Sequence, residues 1–276
     1  MLGPRQLLAR AGLRPKQRFG QNFLVNAPAA RQIARLSLAG APPGTRTLEI
    51  GAGTGSLTLA LLEEGADVTA LEIDEDLVNV LRSRDDLTRA RVAHADALAF
   101  DYAGWAQGLP WIVAGNLPYN VATPLLMLLI EMEGGPSSLT VMVQKDVAQR
   151  FAAKPATPAY GSLSVAVQYA MLVEPALTLA PGSFYPAPNV ESQVVRLVRR
   201  ERPAARVRDL ALFRKVVRGA FAYRRKTLAN SLSLALELDR DGIERAMKLA
   251  NLSPELRGER LDLSDFARLA DALAEG

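Results

Sequence analysis

Asn116-Leu117-Pro118-Tyr119 is the stretch of this sequence best equipped for chemistry. A short apolar run, Trp111 to Ala114, precedes it and reads as a buried strand; a longer one, Val121 to Ile130, follows and reads as a buried helix. The four residues therefore stand on the turn leaving the C-terminal end of a strand, the edge where open α/β sheets bind ligands. Asn116 brings a carbonyl acceptor and an amide donor, and Tyr119 a flat face. Pro118 has no N–H and a fixed φ, which stiffens the turn. An acceptor beside a flat face suits a planar amino group such as that of adenine. The competing reading is an ordinary strand-to-helix turn capped by Asn116 or Asn120.

A second set of residues could hold a nucleoside. Arg46 to Ile50 reads as a strand, Gly51-Ala52-Gly53-Thr54-Gly55 follows at once, and Ser56 to Leu62 reads as a helix. A glycine-rich turn between strand and helix lets the backbone approach a ligand closely. Its G-x-G-x-G spacing differs from the pattern of dinucleotide binders. The next strand, Val68 to Leu71, ends on Glu72, with Asp74 close behind. An acidic residue about 20 positions after such a loop hydrogen-bonds ribose hydroxyls in nucleoside-binding α/β folds. Asp96 follows a third strand, Arg91 to His94, where it suits either an adenine amino group or a helix N-cap. Lys16 to Leu24 reads as an ordered loop that packs by Phe19, Phe23 and Leu24 and presents Gln21 and Asn22. Phe184 and Tyr185, bracketed by prolines, offer a further held ring or a core plug.

The elements that must position these residues form an α/β sheet domain over 1–200, of which 1–27 is a basic segment and loop. A small all-helical domain covers 201–276. Met1 to Pro15 reads as flexible, and its Arg-rich composition also fits a short targeting segment. Pro28 opens a helix. Ser138 to Val143 reads as a strand, Asp146 to Phe151 as a helix start, and Leu163 to Tyr169 as a half-buried strand by its alternation. Val190 to Val198 closes the sheet. Val207 to Leu238 is helical in period, with Arg224-Arg225-Lys226 inside it, and Ser253 and Ser264 start the last two helices.

Composition narrows the chemistry. The 276 residues are 49% apolar and 22% charged, as in soluble globular proteins. With no cysteine and one histidine, His94, disulfides, thiolate zinc sites and Ser-His-Asp triads are ruled out or disfavoured. No metal site is expected. No apolar run approaches the ~20 residues of a membrane span. A soluble, cytoplasmic protein without a membrane partner is expected. Net charge is +4, but its distribution matters more. No acidic residue occurs before Glu49, whereas Arg5, Arg10, Arg14, Lys16, Arg18, Arg31, Arg35 and Arg46 do. A second basic concentration runs from Arg199 to Lys226. Two such clusters flanking a candidate site point to a polyanion, most simply nucleic acid.

Taken together, Phe19-Gly-Gln-Asn-Phe-Leu24, Glu49-Ile-Gly-Ala-Gly-Thr-Gly55, Glu72, Asp96, Asn116-Leu-Pro-Tyr119, Ser183-Phe-Tyr-Pro-Ala-Pro188 and Arg224-Arg-Lys-Thr-Leu-Ala-Asn230 resemble the bacterial small-subunit rRNA adenine dimethyltransferases. The pieces run in that family's order from about Lys16 to the end of the chain. Ala52 departs from the proline many relatives carry. The basic residues before Phe19 also differ in detail from the family's. The resemblance implies a Rossmann-like class I methyltransferase fold using S-adenosylmethionine, with S-adenosylhomocysteine as product, and a helical C-terminal domain. It places the cofactor against Asn22, Leu24, Gly51, Gly53, Glu72, Asp96 and Asn116. On chemical grounds the reaction is expected at Asn116 and Pro118, with Tyr119 and Phe184 stacking a flipped adenine, and RNA phosphates are expected at Lys16, Arg18, Arg224, Arg225 and Lys226. The implied substrate is two adjacent adenosines near the 3′ end of the small-subunit rRNA in a 30S precursor, and the implied state a monomer. Alternatives are a large-subunit methyltransferase of macrolide-resistance type and an assembly factor whose methylation is secondary.

Overall fold

The computed structural model describes residues 2–275. In chain order its elements are α1 (Pro4–Arg10), β1 (Phe23–Leu24), α2 (Ala27–Ser37), β2 (Arg46–Ile50), α3 (Ser56–Glu63), β3 (Asp67–Glu72), α4 (Glu75–Arg82), β4 (Arg91–His94), α5 (Tyr102–Ala106), β5 (Trp111–Asn116), α6 (Ala122–Glu131), β6 (Ser138–Gln144) and α7 (Lys145–Phe151). They continue with α8 (Ser162–Ala170), β7 (Met171–Leu179), β8 (Phe184–Tyr185), β9 (Ser192–Arg199), α9 (Leu210–Ala222), α10 (Leu228–Leu236), α11 (Arg240–Leu249) and α12 (Leu263–Ala274).

Seven strands form one sheet in the order β4-β3-β2-β5-β6-β9-β7. The pairings from β4 through β6 are parallel, and β9 joins β6 antiparallel. The central strands are almost wholly buried, as expected of strands covered on both faces: Leu48, Val68, Ala70, Val113, Leu139 and Val141 are fully buried. Strand order reverses between β2 and β5. This is the point where an open α/β sheet leaves a crevice beyond its carboxyl edge. The crevice lies between the loop after β2 and the loop after β5, the two loops singled out above. This is a Rossmann-like fold followed by helices.

The chain divides into two compact units, and they interleave. One comprises residues up to Ala148 together with Val173–Arg199; the other comprises Gln149–Leu172 and the residues from Arg200 on. The sequence reading divided the chain once, after residue 200. Residues 149–172 join the second unit because their apolar side chains are buried with its helices. Tyr160, Val165 and Tyr169 share a core with Phe213, Leu232, Met247 and Phe266. The Tyr160 hydroxyl donates to the Leu261 carbonyl at 2.8 Å, and the Tyr169 and Phe213 rings lie 4.8 Å apart.

Four expectations are corrected. Leu163 to Tyr169 is helical, not a strand, because the intervening Ser164 and Ala166 are buried too, so the alternation does not mark a solvent face. Val207 to Leu238 is two helices; Arg224-Arg225-Lys226 occupies the exposed turn between α9 and α10 instead of lying inside a helix. No helix begins at Ser253. The segment 4–10 is a helix that buries Leu8 against Phe23 and Leu77, not a flexible lead-in. Among the described residues no helix is long and apolar enough to cross a membrane.

Candidate active site

A cavity of about 290 Å³ opens at the carboxyl ends of β2, β3 and β5 and beside the residues that follow β4. Its floor is the turn after β2. Gly51 and Gly53 have φ of 73° and 58°, values that side chains resist. A Cβ on Gly53 would also meet the Phe23 ring at 3.0 Å. The absent side chains bring the backbone against the cavity.

Glu72 ends β3 and is 6% exposed. Its Oε2 accepts from the Gly53 N–H at 2.8 Å, and its Oε1 from the amides of Ile73 and Asp74 at 2.9 and 3.0 Å. Burial raises its pKa, although these three amides pull it down. Glu72 is thus pinned to the glycine turn, with carboxylate lone pairs left for a diol. Asp96 sits exposed at the cavity edge, its Oδ1 accepting from the Leu98 N–H at 2.8 Å. Ile73 and Leu98, both apolar and unusually exposed, line the cavity beside these two acids.

Asn116 is the last residue of β5, one step earlier than the turn expected for it. Its Nδ2 donates to the Asn22 carbonyl at 2.7 Å. Its Oδ1 is buried and has no partner. A buried acceptor without a donor costs about 1–3 kcal/mol, a cost that a donor from outside the chain would relieve. The Pro118 carbonyl accepts from the Val121 N–H at 3.1 Å and retains its second lone pair. The half-buried Tyr119 ring lines the same wall, its hydroxyl 2.7 Å from the buried Ser192 Oγ. Asn22 and Leu24 line the cavity from the N-terminal loop, as do Phe19 and Arg18, whose guanidinium lies 4.7 Å from the Phe19 ring centre.

Two expected participants are placed elsewhere. Phe184 does not line the cavity. It pairs with Leu24 across the β1–β8 ribbon and is buried in the core, because successive strand residues face opposite sides and its neighbour Tyr185 packs on the other, against the cluster of Leu8, Phe23 and Leu77. Lys16 is not offered to a phosphate, since its Nζ lies 2.6 Å from both Asp74 and Asp76. Arg224, Arg225 and Lys226 are exposed on the second unit.

Sequence reasoning missed Glu49 as a cavity residue. It is 1% exposed, and its Oε2 has no partner. Burial pushes its pKa up to about 8, against the pull of Thr58, and the nearby Glu72 charge adds to the rise. An acid two residues before the glycine turn, between Leu48 and Ile50, was the available signal. No group of three or more potential metal ligands occurs among the described residues.

A family model described as ribosomal RNA adenine dimethylase matches residues 12–265. The chain belongs to this family. The ribosomal RNA small subunit methyltransferase A of Streptococcus gordonii is 43% identical over 98% of this chain and 95% of its own length. That of Lactococcus lactis is 42% identical over 97% and 92%. Among solved structures, a dimethyladenosine transferase from Plasmodium falciparum matches with a TM-score of 0.68 at 23% identity, covering 88% of this chain and 94% of that one. The 23S rRNA methyltransferase ErmE matches with a TM-score of 0.64 at 24% identity, covering 92% and 100%. These two structures share the fold.

Proposed function

We propose that this rRNA adenine dimethylase family member transfers methyl groups from S-adenosylmethionine to the N6 of two adjacent adenosines near the 3′ end of small-subunit rRNA. The observation that carries the reading is the orphaned Asn116 Oδ1 at the cavity wall. The substrate follows the names of the 41–43% identical relatives, all small-subunit enzymes. The cofactor suits the cavity by its donor and acceptor set: Glu72 for ribose hydroxyls, Asp96 for the adenine amino group, the Gly51–Gly53 turn for close backbone approach, and Asn22 and Leu24 opposite. S-adenosylmethionine supplies an electrophilic methyl group on a sulfonium centre.

The chain's own residues then hold the acceptor. Adenine N6 is a poor nucleophile, because its lone pair is delocalised into the ring. In the first transfer Asn116 Oδ1 and the Pro118 carbonyl accept its two N–H bonds, and in the second one of them accepts the single N–H that remains, which fixes the nitrogen and favours pyramidal geometry. At each transfer the methyl leaves the sulfonium sulfur as the C–N bond forms, and nitrogen releases one proton to solvent. Tyr119 stacks on the flipped base and returns ~1–3 kcal/mol of the unstacking cost. This is orientation by preorganised dipoles, and it requires no strong base. Arg18 beside the cavity and Arg224, Arg225 and Lys226 on the second unit contact phosphates. The target is a 30S precursor particle, and the protein acts as a monomer.

The deciding experiment is methyl transfer from labelled S-adenosylmethionine to small subunits from cells lacking this gene, followed by nucleoside analysis. N6,N6-dimethyladenosine near the rRNA 3′ end is expected. Label confined to large-subunit RNA would overturn the substrate; tight particle binding without label would favour an assembly factor.

A further inference from the structure

The usefulness of Asn116 depends on which way round its carboxamide lies, and the contact that decides this comes from another segment. The Asn22 carbonyl, an acceptor 2.7 Å away, admits only the NH₂ end of Asn116. The oxygen is thereby left as the end without a partner in the chain. Asn22 in turn belongs to a loop with little regular structure: a short turn over Gln17–Phe19, then Gly20 in the left-handed region. Such a loop needs an external tie to hold a carbonyl within a fraction of an ångström.

The tie is Asp74, buried at 3% exposure just beyond the tip of β3. Its Oδ1 meets Lys16 Nζ at 2.6 Å, and its Oδ2 accepts from Gln21 Nε2 at 2.8 Å. The Lys16 N–H closes the ring by donating to Gln21 Oε1 at 2.7 Å. The two ends of the 16–21 segment therefore meet on one carboxylate. Burial opposes the charge on Asp74, but Lys16 and Gln21 outweigh it and hold the carboxyl below the usual carboxylate range. The Asp74 N–H donates to Glu72, so the latch is anchored to the same strand tip that serves the cavity.

We propose that Asp74 is a positioning residue for methyl transfer: it grips Lys16 and Gln21 so that the Asn22 carbonyl turns the Asn116 oxygen toward the acceptor amine. The inference rests on the methyl-transfer reading above. With the latch open, Nδ2 loses its fixed partner, and the carboxamide samples both orientations about its terminal torsion. A small misplacement of this kind, remote from the chemistry, costs up to about 10²-fold in rate.

The test uses the full chain with Asp74→Ala, Lys16→Met and Gln21→Ala. Asp74 also caps α4 through the Asp76 N–H, whereas Lys16 and Gln21 do not, so the last two variants separate latch from cap. Each variant is expected to lower kcat at saturating S-adenosylmethionine and RNA, by about 10- to 100-fold for Asp74→Ala and less for the others. Raising cofactor concentration should not recover the loss. Exchange protection of the Asn116 side-chain amide protons, followed by NMR, is expected to fall in the same order. Unchanged kcat in Lys16→Met and Gln21→Ala would overturn the proposal, as would full amide protection in all three variants. If Asp74→Ala does not fold, the other two decide. If the unmodified chain transfers no methyl group to any adenosine, the methyl-transfer reading falls. The amide measurement then still reports whether the latch orients Asn116.

Discussion

At the scale of single residues, Asn116 and Glu49 carry opposite lessons about buried oxygens. Asn116 Oδ1 lacks a donor within the chain, and in the proposed reaction the substrate amine supplies it. Asn116→Ala should therefore lower turnover by ~10²-fold or more at saturating cofactor and RNA, the scale of losing one preorganised hydrogen-bonding group. Single-turnover kinetics with near-normal rates would remove Asn116 from the chemistry. Glu49 is a carboxyl whose charge burial opposes. Its folded pKa of about 8 exceeds the ordinary 4.5, so the folded state binds more protons across that window. Its contribution to stability is therefore present at low pH, falls as pH rises from about 4.5 and levels off above about 8, with a slope no steeper than ~1.4 kcal/mol per pH unit. Glu49→Gln should abolish this decline. Melting temperatures of both proteins from pH 5 to pH 9 check it: parallel curves would mean that Glu49 does not titrate in this range.

At the scale of elements, caps and tight turns set where helices begin and how closely the backbone approaches the cavity. Asp262 caps α12 reciprocally with Asp265, each side chain accepting the other's backbone N–H at 2.8 and 3.0 Å. Asp262→Ala should cost ~1 kcal/mol of stability, measurable by urea denaturation. It should leave cofactor binding untouched. Gly53→Ala should do the reverse in emphasis. Its left-handed backbone and the Phe23 ring 3.0 Å from the added methyl work against it, at ~1–2 kcal/mol for the backbone alone. Because the turn also bonds Glu72, calorimetric titration with S-adenosylhomocysteine should show weakened binding. Unaltered affinity would show that the turn does not approach the ligand.

For the whole molecule, the distribution of charge is the relevant quantity. Lys16 is neutralised by Asp74 and Asp76, so the basic N-terminal cluster offers fewer free cations than its composition suggests. The exposed turn Arg224-Arg225-Lys226 retains its charges at the surface. Neutralising all three should weaken RNA binding and reduce the slope of log K against log salt by about 2 for single-stranded or about 3 for duplex contacts. Filter binding across a salt series would detect this, and an unchanged slope would place the RNA elsewhere. The interleaving of the two units explains why the division after residue 200 missed 149–172. Side chains such as Tyr160 and Tyr169 find their partners far along the chain.

Local patterns in the sequence determined most of the α/β half. Apolar runs bounded by glycine, proline or acids located β2, β3, β5 and β6, since a strand buried on both faces needs that composition. The glycine turn, Glu72, Asp96 and the Asn116–Tyr119 stretch were legible because each stands at a strand end whatever its surroundings. Tertiary structure alone decided what those residues face. It sent the Phe184 ring into the core through the pairing with Leu24, and it gave Lys16 to Asp74 across a separation of 58 residues. It also buried Ser164 and Ala166, so that an alternating segment became a helix. The common reason is that burial and hydrogen-bond partnership are properties of pairs distant in sequence, while periodicity and turn chemistry are properties of neighbours.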